Sequence, residues 1–271
     1  MDLVYIVRNG DNNPDLRYSL RSIAKFVKCD RVWIVGYKPK WVKDVEYIKV
    51  TQGPDKWQNS VNNIIAACES DDVSDNFVLM NDDFFAIKPV EDLEKSCNVA
   101  LGSLDKKIEE YKKYRSGWYN GFRYAEELLK KMNIPEPYYD YESHSPIIIN
   151  KQKFLDFIHR KEIQDFMKTP TKVLHKRSIY KNIYKITPSI LKEDVKINKD
   201  IEVDSKKLVC EWISVFDNQV NNRYYPKLNK LLKDLFPDMC QYELTAPNEP
   251  IIAAKPVTLS QNKKKRDFIH Y

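Results

Sequence analysis

The stretch Phe77-Val78-Leu79-Met80-Asn81-Asp82-Asp83-Phe84-Phe85 decides the expected fold, because four apolar residues run into two adjacent carboxylates and two aromatic rings. A short apolar run between polar residues is typical of a buried strand. In an open α/β sheet, ligands bind outside the carboxyl ends of the strands. Asp82 and Asp83 therefore stand where such a sheet would bind a ligand.

The residues before this stretch alternate between candidate strands and helices. Strands are predicted at 3–7, 32–36 and 45–50, and helices at 15–26, with Asp15 as its cap, and after Trp57. This β-α-β-β-α-β series predicts a three-layer α/β/α fold with a mainly parallel central sheet. The first strand opens into the polar loop Arg8-Asn9-Gly10-Asp11, which is expected to contact a nucleotide.

The residues after it continue the mixed pattern. The helical segment 92–132 is interrupted by Gly117-Trp118-Tyr119-Asn120-Gly121, which we expect to form a mobile acceptor loop. Further elements are predicted as strands at 147–149 and 209–216 and helices at 150–159 and 225–236. We expect one catalytic domain over 1–250, with a nucleotide-binding half at 1–90 and an acceptor half at 91–250. A basic tail follows at 251–271.

Composition narrows the class of protein. The 271 residues include 42% hydrophobic and 31% charged residues, as expected of a soluble globular protein. Five widely spaced cysteines without a CxxC pair indicate neither a disulfide framework nor a zinc site. No apolar run reaches the roughly 20 residues that span a bilayer, and the start lacks a basic signal-peptide region, so a cytoplasmic protein is expected.

Charge is distributed unevenly along the chain. Residues 51–100 hold ten acidic and three basic residues, whereas 151–200 hold thirteen basic and six acidic residues. One interpretation is an acidic site that needs a cation, beside a basic face that binds a phosphorylated substrate. The alternative is that the basic residues form a face of solvated lysines.

The adjacent carboxylates are the first chemical candidate. Hard cations such as Mn²⁺ or Mg²⁺ take oxygen ligands and use one or two protein carboxylates together with phosphate oxygens. Asp82 and Asp83 are therefore candidate ligands for a metal that bridges the diphosphate of a nucleotide-sugar and neutralises its charge as the glycosidic bond breaks. Adjacent acids are also common in ordinary loops.

Other polar residues offer acid–base or phosphate chemistry. His144 could act as a general base or hold a phosphate, and Asp217, at a strand exit, could deprotonate an acceptor hydroxyl. His175-Lys176-Arg177 offers three possible cations to grip a diphosphate. The alternative for His144 is a hydrogen-bonded loop histidine. The alternative for Asp217 is an ordinary turn, and that for His175-Lys176-Arg177 is a solvated basic turn. GxGxxG and GxxxxGK[ST] are both absent, which argues against a dinucleotide oxidoreductase or a P-loop enzyme.

Several segments together resemble bacteriophage proteins classed as glycosyltransferases. The resemblance rests on residues 2–11, 16–22, 32–36, 57–60, 77–85, 175–180 and 212–217. The opening, the helix Leu16-Arg17-Tyr18-Ser19-Leu20-Arg21-Ser22 and the segment Asn81-Asp82-Asp83-Phe84-Phe85 are also similar to Stealth proteins, which transfer sugar-1-phosphate from a nucleotide-sugar. Where the Stealth opening carries an acidic residue before the loop glycine, this chain has Asn9, whereas His144 resembles a histidine of that family.

The resemblance implies a GT-A-like fold, a nucleotide-sugar donor, in first place a UDP-sugar, and Mn²⁺ or Mg²⁺ at Asp82 and Asp83. Asp83 is favoured as the metal ligand, and Asn81 or Asp82 is expected to contact only the ribose. The matched segments add Arg17 and Asn59 to the expected donor contacts.

Three functions remain open from the sequence. The leading one is a metal-dependent hexosyltransferase that acts on a hydroxyl of a modified DNA base, of a virion protein or of a host glycan. The second is a Stealth-like sugar-1-phosphate transferase, and the third is a nucleic-acid-binding protein without catalytic activity that uses residues 151–200 and the basic tail.

Overall fold

A computed structural model describes residues 1–113, 117–169, 173–190, 194–197, 210–215, 220, 223 and 225–244, and the basic tail lies outside them. The strands are β1 (Asp2–Val7), β2 (Val32–Gly36), β3 (Glu46–Lys49), β4 (Asn76–Asn81), β5 (Phe84–Ala86), β6 (Val99–Ala100), β7 (Ile147–Asn150), β8 (Ser189–Ile190), β9 (Lys196–Ile197) and β10 (Trp212–Val215). The helices are α1 (Pro14–Phe26), α2 (Lys56–Glu69), α3 (Leu93–Ser96), α4 (Leu104–Tyr111), α5 (Gly117–Lys131), α6 (Lys151–Ile158), α7 (Lys161–Met167), α8 (Lys176–Ile183) and α9 (Pro226–Leu235). Within the described ranges, no helix has the length and hydropathy needed to cross a membrane.

The chain divides into two compact units. The first unit contains the described residues within 1–97, 144–151 and 195–244, and the second contains those within 98–143 and 152–194. The first unit differs from the predicted half because it also takes in β7, β9, β10 and α9.

The main sheet of the first unit has the strand order β3-β2-β1-β4-β7. β1, β2, β3 and β4 pair in parallel, and β7 pairs antiparallel with β4. This arrangement confirms the mixed α/β fold with a mainly parallel central sheet. The apolar side chains of β1 are almost entirely buried, as the unbroken hydrophobic run of a central parallel strand requires.

A second sheet in the same unit has the order β5-β10-β9. Asp82 and Asp83 form the turn that joins β4 of the main sheet to β5 of the second one. A buried apolar cluster that includes Phe85, Ile213, Leu228 and Leu232 lies between the second sheet and α9. The turn that carries the two carboxylates is therefore anchored by a sheet on either side.

Helix α1 begins one residue earlier than the sequence pattern predicts. The side chain of Asn13 caps it by accepting a hydrogen bond from the backbone N–H of Leu16 (2.9 Å), and Pro14 occupies the first turn. The prediction that Asp15 is the cap is therefore wrong. Further along the helix, the hydroxyl of Ser22 accepts a hydrogen bond from the backbone N–H of Ala86 (3.0 Å), which fixes α1 against β5.

In the second unit, the segment from Gly117 to Gly121 forms the first turns of α5 rather than the predicted loop. The imidazole of His175 packs against this helix where Gly121 lacks a side chain. A Cβ atom at position 121 would lie 2.3 Å from Nε2 of His175. Of the two glycines that indicated a loop, Gly121 therefore permits the imidazole of His175 to pack closely against the helix.

Asp140 of the second unit gives the protein a pH-dependent stability. The residue is 1% exposed, and its Oδ2 has no hydrogen-bond partner in the part of the chain that the structure describes. Burial raises the pKa of its carboxyl group to about 7, against a hydrogen bond from the backbone N–H of Glu142. Glu142 and Asp194 act in the same direction as burial, and Lys107 opposes it.

Because the folded pKa is raised, the stabilising effect of the neutral Asp140 is complete below pH 3.8 and is lost as the pH rises through about 7. We expect Asp140→Asn to stabilise the protein by about 2–4 kcal/mol at pH 8 and much less at pH 4. Urea unfolding of both proteins at several pH values measures this difference. Asp165→Asn, on the exposed surface of α7, serves as control. If the difference in free energy of unfolding between Asp140→Asn and the wild type did not change with pH, the raised pKa of Asp140 would be contradicted.

Candidate active site

A polar pocket of about 260 Å³ opens in the first unit where β1 ends. It is lined by residues 8–10, 12–15 and Asp82. β1 and β4 are parallel neighbours, so the loop after β1 and the turn after β4 meet at one edge of the sheet. Four of the predicted donor-site residues, Arg8, Asn9, Gly10 and Asp82, are thus brought together.

Asn13 connects the two sides of this pocket. Its Oδ1 accepts the capping hydrogen bond at the start of α1, and its Nδ2 donates to Oδ2 of Asp82 (2.7 Å). One side chain therefore fixes both the helix N-terminus and the carboxylate. Sequence reasoning missed Asn13, although an asparagine directly before a proline is a recognisable helix-start signal.

The two adjacent carboxylates have different surroundings. Asp82 is partly exposed and lines the pocket, whereas Asp83 is only 9% exposed and accepts a hydrogen bond from Oγ of Ser214 (3.1 Å). Ser214 lies on β10 opposite Phe84, next to the turn. Asp82 therefore faces the pocket and Asp83 is held by Ser214, while the expectation that Asp83 is the metal ligand stays a prediction.

Asp11 holds the first loop to the loop after β2. Its Oδ1 accepts hydrogen bonds from Oη of Tyr37 (2.6 Å) and the backbone N–H of Lys40 (3.2 Å). Nε1 of Trp41 donates to its carbonyl oxygen (2.8 Å). The hydrogen bond from Tyr37 lowers the pKa of the Asp11 carboxyl, so it is ionised at neutral pH. These contacts give Asp11 a tethering role beside the pocket.

Arg17, another predicted donor contact, lies in a buried ion-pair cluster. Its guanidinium and that of Arg21 both bind the carboxylate of Glu243, whose side chain is fully buried. The guanidinium of Arg17 also stacks on the ring of Trp41, 4.1 Å from the ring centroid. We therefore leave Arg17 out of the proposed donor site.

The other predicted residues of the first unit have different positions. Asn59 on α2 closes a turn by accepting from the backbone N–H of Gly53 (2.9 Å) and donating to its carbonyl oxygen (2.8 Å). His144 precedes β7 and is half-buried. Asp217 lies outside the described residues, so its role as a base stays a prediction.

The three predicted cations of the second unit lie at the start of α8. His175 is 1% exposed between the rings of Trp118 and Phe122, with centroid distances of 4.3 and 4.4 Å. Burial lowers the pKa of His175 to about 4, so the prediction of a cation is wrong for this residue at neutral pH.

Lys176 and Arg177, which follow His175, are also shielded from solvent. Lys176 is half-buried, and loss of solvent lowers the pKa of its ammonium group to about 8. Arg177 is buried and donates from Nη1 to the carbonyl oxygen of Ser143 (2.9 Å). This bond gives Arg177 a structural role within the second unit.

Potential cation ligands at the pocket are all oxygen atoms. Asp15 and Asp82 contribute carboxylates, and Asn9, Asn12 and Asn13 contribute amides. Among the residues that the structure describes, no group of three or more His, Cys, Asp and Glu side chains could hold a metal by itself. A cation here would therefore need further ligands from a substrate.

Comparison with known proteins shows which fold this pocket belongs to. No protein-family profile and no curated protein sequence matches the chain. The structure of the galactosyltransferase LgtC, in complex with donor and acceptor sugar analogs, matches with a TM-score of 0.51 and 10% identity over 92% of this chain and 98% of that one. The chain has the GT-A glycosyltransferase fold of LgtC.

Two further structures match less well. An active-site mutant of LgtC has a TM-score of 0.49 at 9% identity, over 92% of this chain and 98% of that one. The glycosyltransferase GlyE of Streptococcus pneumoniae has a TM-score of 0.38 at 10% identity, over 70% of this chain and 44% of that one.

Proposed function

We propose that the protein is a glycosyltransferase that moves a sugar from a nucleotide-sugar to a hydroxyl group and depends on a divalent cation. The observation that carries the proposal is the pocket at the carboxyl ends of β1 and β4, where Arg8, the start of α1 and Asp82 meet. The GT-A fold supports it, and the complex of LgtC with donor and acceptor sugar analogs gives a precedent for two sugar substrates on this fold.

The pocket carries charges of both signs, Arg8 against Asp15 and Asp82, so a diphosphate would bind there together with a cation. The N-terminus of the 13-residue helix α1 carries a partial positive charge, which favours a phosphate, but Pro14 has no N–H and the N–H of Leu16 already binds Asn13. Arg8 adds a full positive charge to the same wall. The amides of Asn9, Asn12 and Asn13 can donate to, or accept from, sugar and ribose hydroxyls.

The ligand atoms fit Mn²⁺ or Mg²⁺. Both cations prefer oxygen, and Mg²⁺ in particular is usually held by one or two carboxylates together with substrate phosphates. Asp82 is the carboxylate that would hold the cation, with Asp15 as the second carboxylate of the pocket. When bound, the cation supplies positive charge that stabilises the departing diphosphate. Asn13 orients Asp82, while Arg8 binds phosphate oxygens.

An assay of released nucleotide tests the proposal. Purified protein is incubated with a panel of nucleotide-sugars, UDP-sugars first, and with Mn²⁺ or excess EDTA. We expect release of a nucleoside diphosphate from at least one donor as its sugar passes to water or to an added hydroxyl acceptor, and loss of this release in EDTA. Release of the monophosphate would instead identify a sugar-1-phosphate transferase. Full activity in EDTA would remove the metal from the proposal, and no turnover or binding of any donor would overturn it.

The acceptor is proposed only as a hydroxyl-bearing molecule. A modified DNA base, a virion protein and a glycan all remain candidates on the residues of the chain. Mass analysis of each candidate after incubation with the active donor distinguishes them.

A further inference from the structure

The loop Arg8-Asn9-Gly10 is held at its base by one side chain from another part of the chain. Gln52, between β3 and α2, donates from Nε2 to the carbonyl oxygen of Val7 (2.6 Å). Its Oε1 accepts a hydrogen bond from the backbone N–H of Asn9 (3.1 Å). The two bonds span the point where β1 ends and the pocket wall begins.

The primary amide of Gln52 makes both bonds because it combines a donor and an acceptor in one group. The carbonyl of Val7 can only accept, and the N–H of Asn9 can only donate, so the side chain between them needs both functions. Glutamate lacks a donor and would place a negative charge against the carbonyl oxygen. Asparagine is one methylene shorter, and an apolar side chain can make neither bond. The orientation of the Gln52 amide is thereby fixed by its partners.

Gly36 provides the space that Gln52 needs. Its φ of +108° lies in the region that favours glycine, and a Cβ atom there would lie 2.6 Å from Nε2 of Gln52 and 2.4 Å from the carbonyl oxygen of Val7. The same carbonyl accepts a second hydrogen bond from the backbone N–H of Tyr37 (3.1 Å). At the end of β1, the carbonyl oxygen of Val7, the glycine Gly36 and the amide of Gln52 therefore lie close together.

We propose that Gln52 is a positioning residue for donor binding, because it fixes the backbone of Arg8-Asn9-Gly10 in the conformation that lines the pocket. Gln52 itself is not among the lining residues, so its effect is transmitted through the backbone of Asn9. The proposal rests on the proposed function for its link to the donor. According to this proposal, Gln52 affects the affinity for the donor and does not affect the rate of sugar transfer after the donor has bound.

Two measurements on Gln52→Ala and Gln52→Glu test the proposal. By NMR, the amide of Asn9 should exchange its hydrogen about 5- to 10-fold faster in either variant, because its acceptor is lost or displaced. In the nucleotide-release assay, KM for the donor should rise about 5- to 10-fold in Gln52→Ala, with kcat within about 2-fold of the wild type. Gln52→Glu should raise KM further, since its carboxylate faces a carbonyl oxygen and adds negative charge near an anionic donor.

Gln152→Glu is the matched control, because this glutamine lies on the exposed surface of α6 and its side chain donates to Asp156 on the same helix. Unchanged exchange at Asn9, or unchanged KM with faster exchange, would overturn the proposal, as would a fall in kcat alone. If the wild type bound no nucleotide-sugar, the proposed function would fail, and exchange at Asn9 would still show whether Gln52 holds the loop.

Discussion

Replacing Asp82 by asparagine is expected to lower kcat/KM for donor turnover by at least about 100-fold, because the pocket loses the carboxylate that faces a cation and its diphosphate. The fold should survive, since the side chain is partly exposed and an asparagine oxygen can still accept from Asn13. Nucleotide release and Mn²⁺-dependent binding of a nucleoside diphosphate measure the loss, and circular dichroism on heating checks the fold.

Asp71→Asn is the control for a lost negative charge, because Asp71 is exposed in the turn after α2. Asp83→Asn is the informative comparison. Because Asp83 is buried and bound to Ser214, its replacement should lower Tm as well as activity. If Asp83→Asn alone abolished Mn²⁺-dependent binding with an unchanged Tm, Asp83 would be the ligand, as the family resemblance implies.

The largest expected loss of stability comes from Glu243→Gln. The carboxylate of Glu243 is fully buried and binds the guanidinium groups of Arg17 and Arg21, with a distance of 2.7 Å to Nε of Arg21. Removing its charge leaves two buried cations without their counter-charge, so the free energy of unfolding should fall by about 3–5 kcal/mol. Urea unfolding at pH 7 measures this change.

The same ion pair predicts a dependence on acid. Burial by itself raises the pKa of Glu243, but hydrogen bonds from Arg21, the backbone N–H of Cys240 and Arg17 outweigh it, and the pKa is lowered overall. Its stabilising effect is therefore present above the unfolded pKa of about 4.3 and is lost as the pH falls through the folded value. The difference between the wild type and Glu243→Gln should shrink in that range.

Glu127→Gln serves as control for this variant, because Glu127 pairs with Arg123 on the exposed surface of α5. Such a pair contributes at most about 1 kcal/mol. Equal effects of the two substitutions would show that Arg17 and Arg21 do not depend on Glu243.

The sequence pattern predicts the main sheet well, because apolar runs bounded by polar loops report strands buried on both faces. Periodicity gives the ends of β1 and β2 to within one residue. It also places Asp82 beside Arg8, since parallel strands present their carboxyl ends at one edge.

Long-range polar contacts lie beyond such patterns. The sequence suggests that Arg17 is a cation available to a phosphate. In the structure, its guanidinium binds the carboxylate of Glu243, which lies far along the chain. The sequence suggests that His175 is a cation, but burial between two aromatic rings is the largest cause that lowers its pKa, and the charge of Lys176 acts in the same direction. The packing of His175 against Gly121 likewise turns an apparent loop signal into a helix.

The bond from Glu243 to Arg17 also has a consequence for synthesis of the protein on the ribosome. The two residues are 226 positions apart, so helix α1 emerges long before the carboxylate that binds the guanidinium groups of Arg17 and Arg21. At about 5–20 residues per second, this delay lasts on the order of ten seconds or more. Until then, Arg17 and Arg21 lack this carboxylate, so the ion-pair cluster of the first unit forms only after residue 243 has been made.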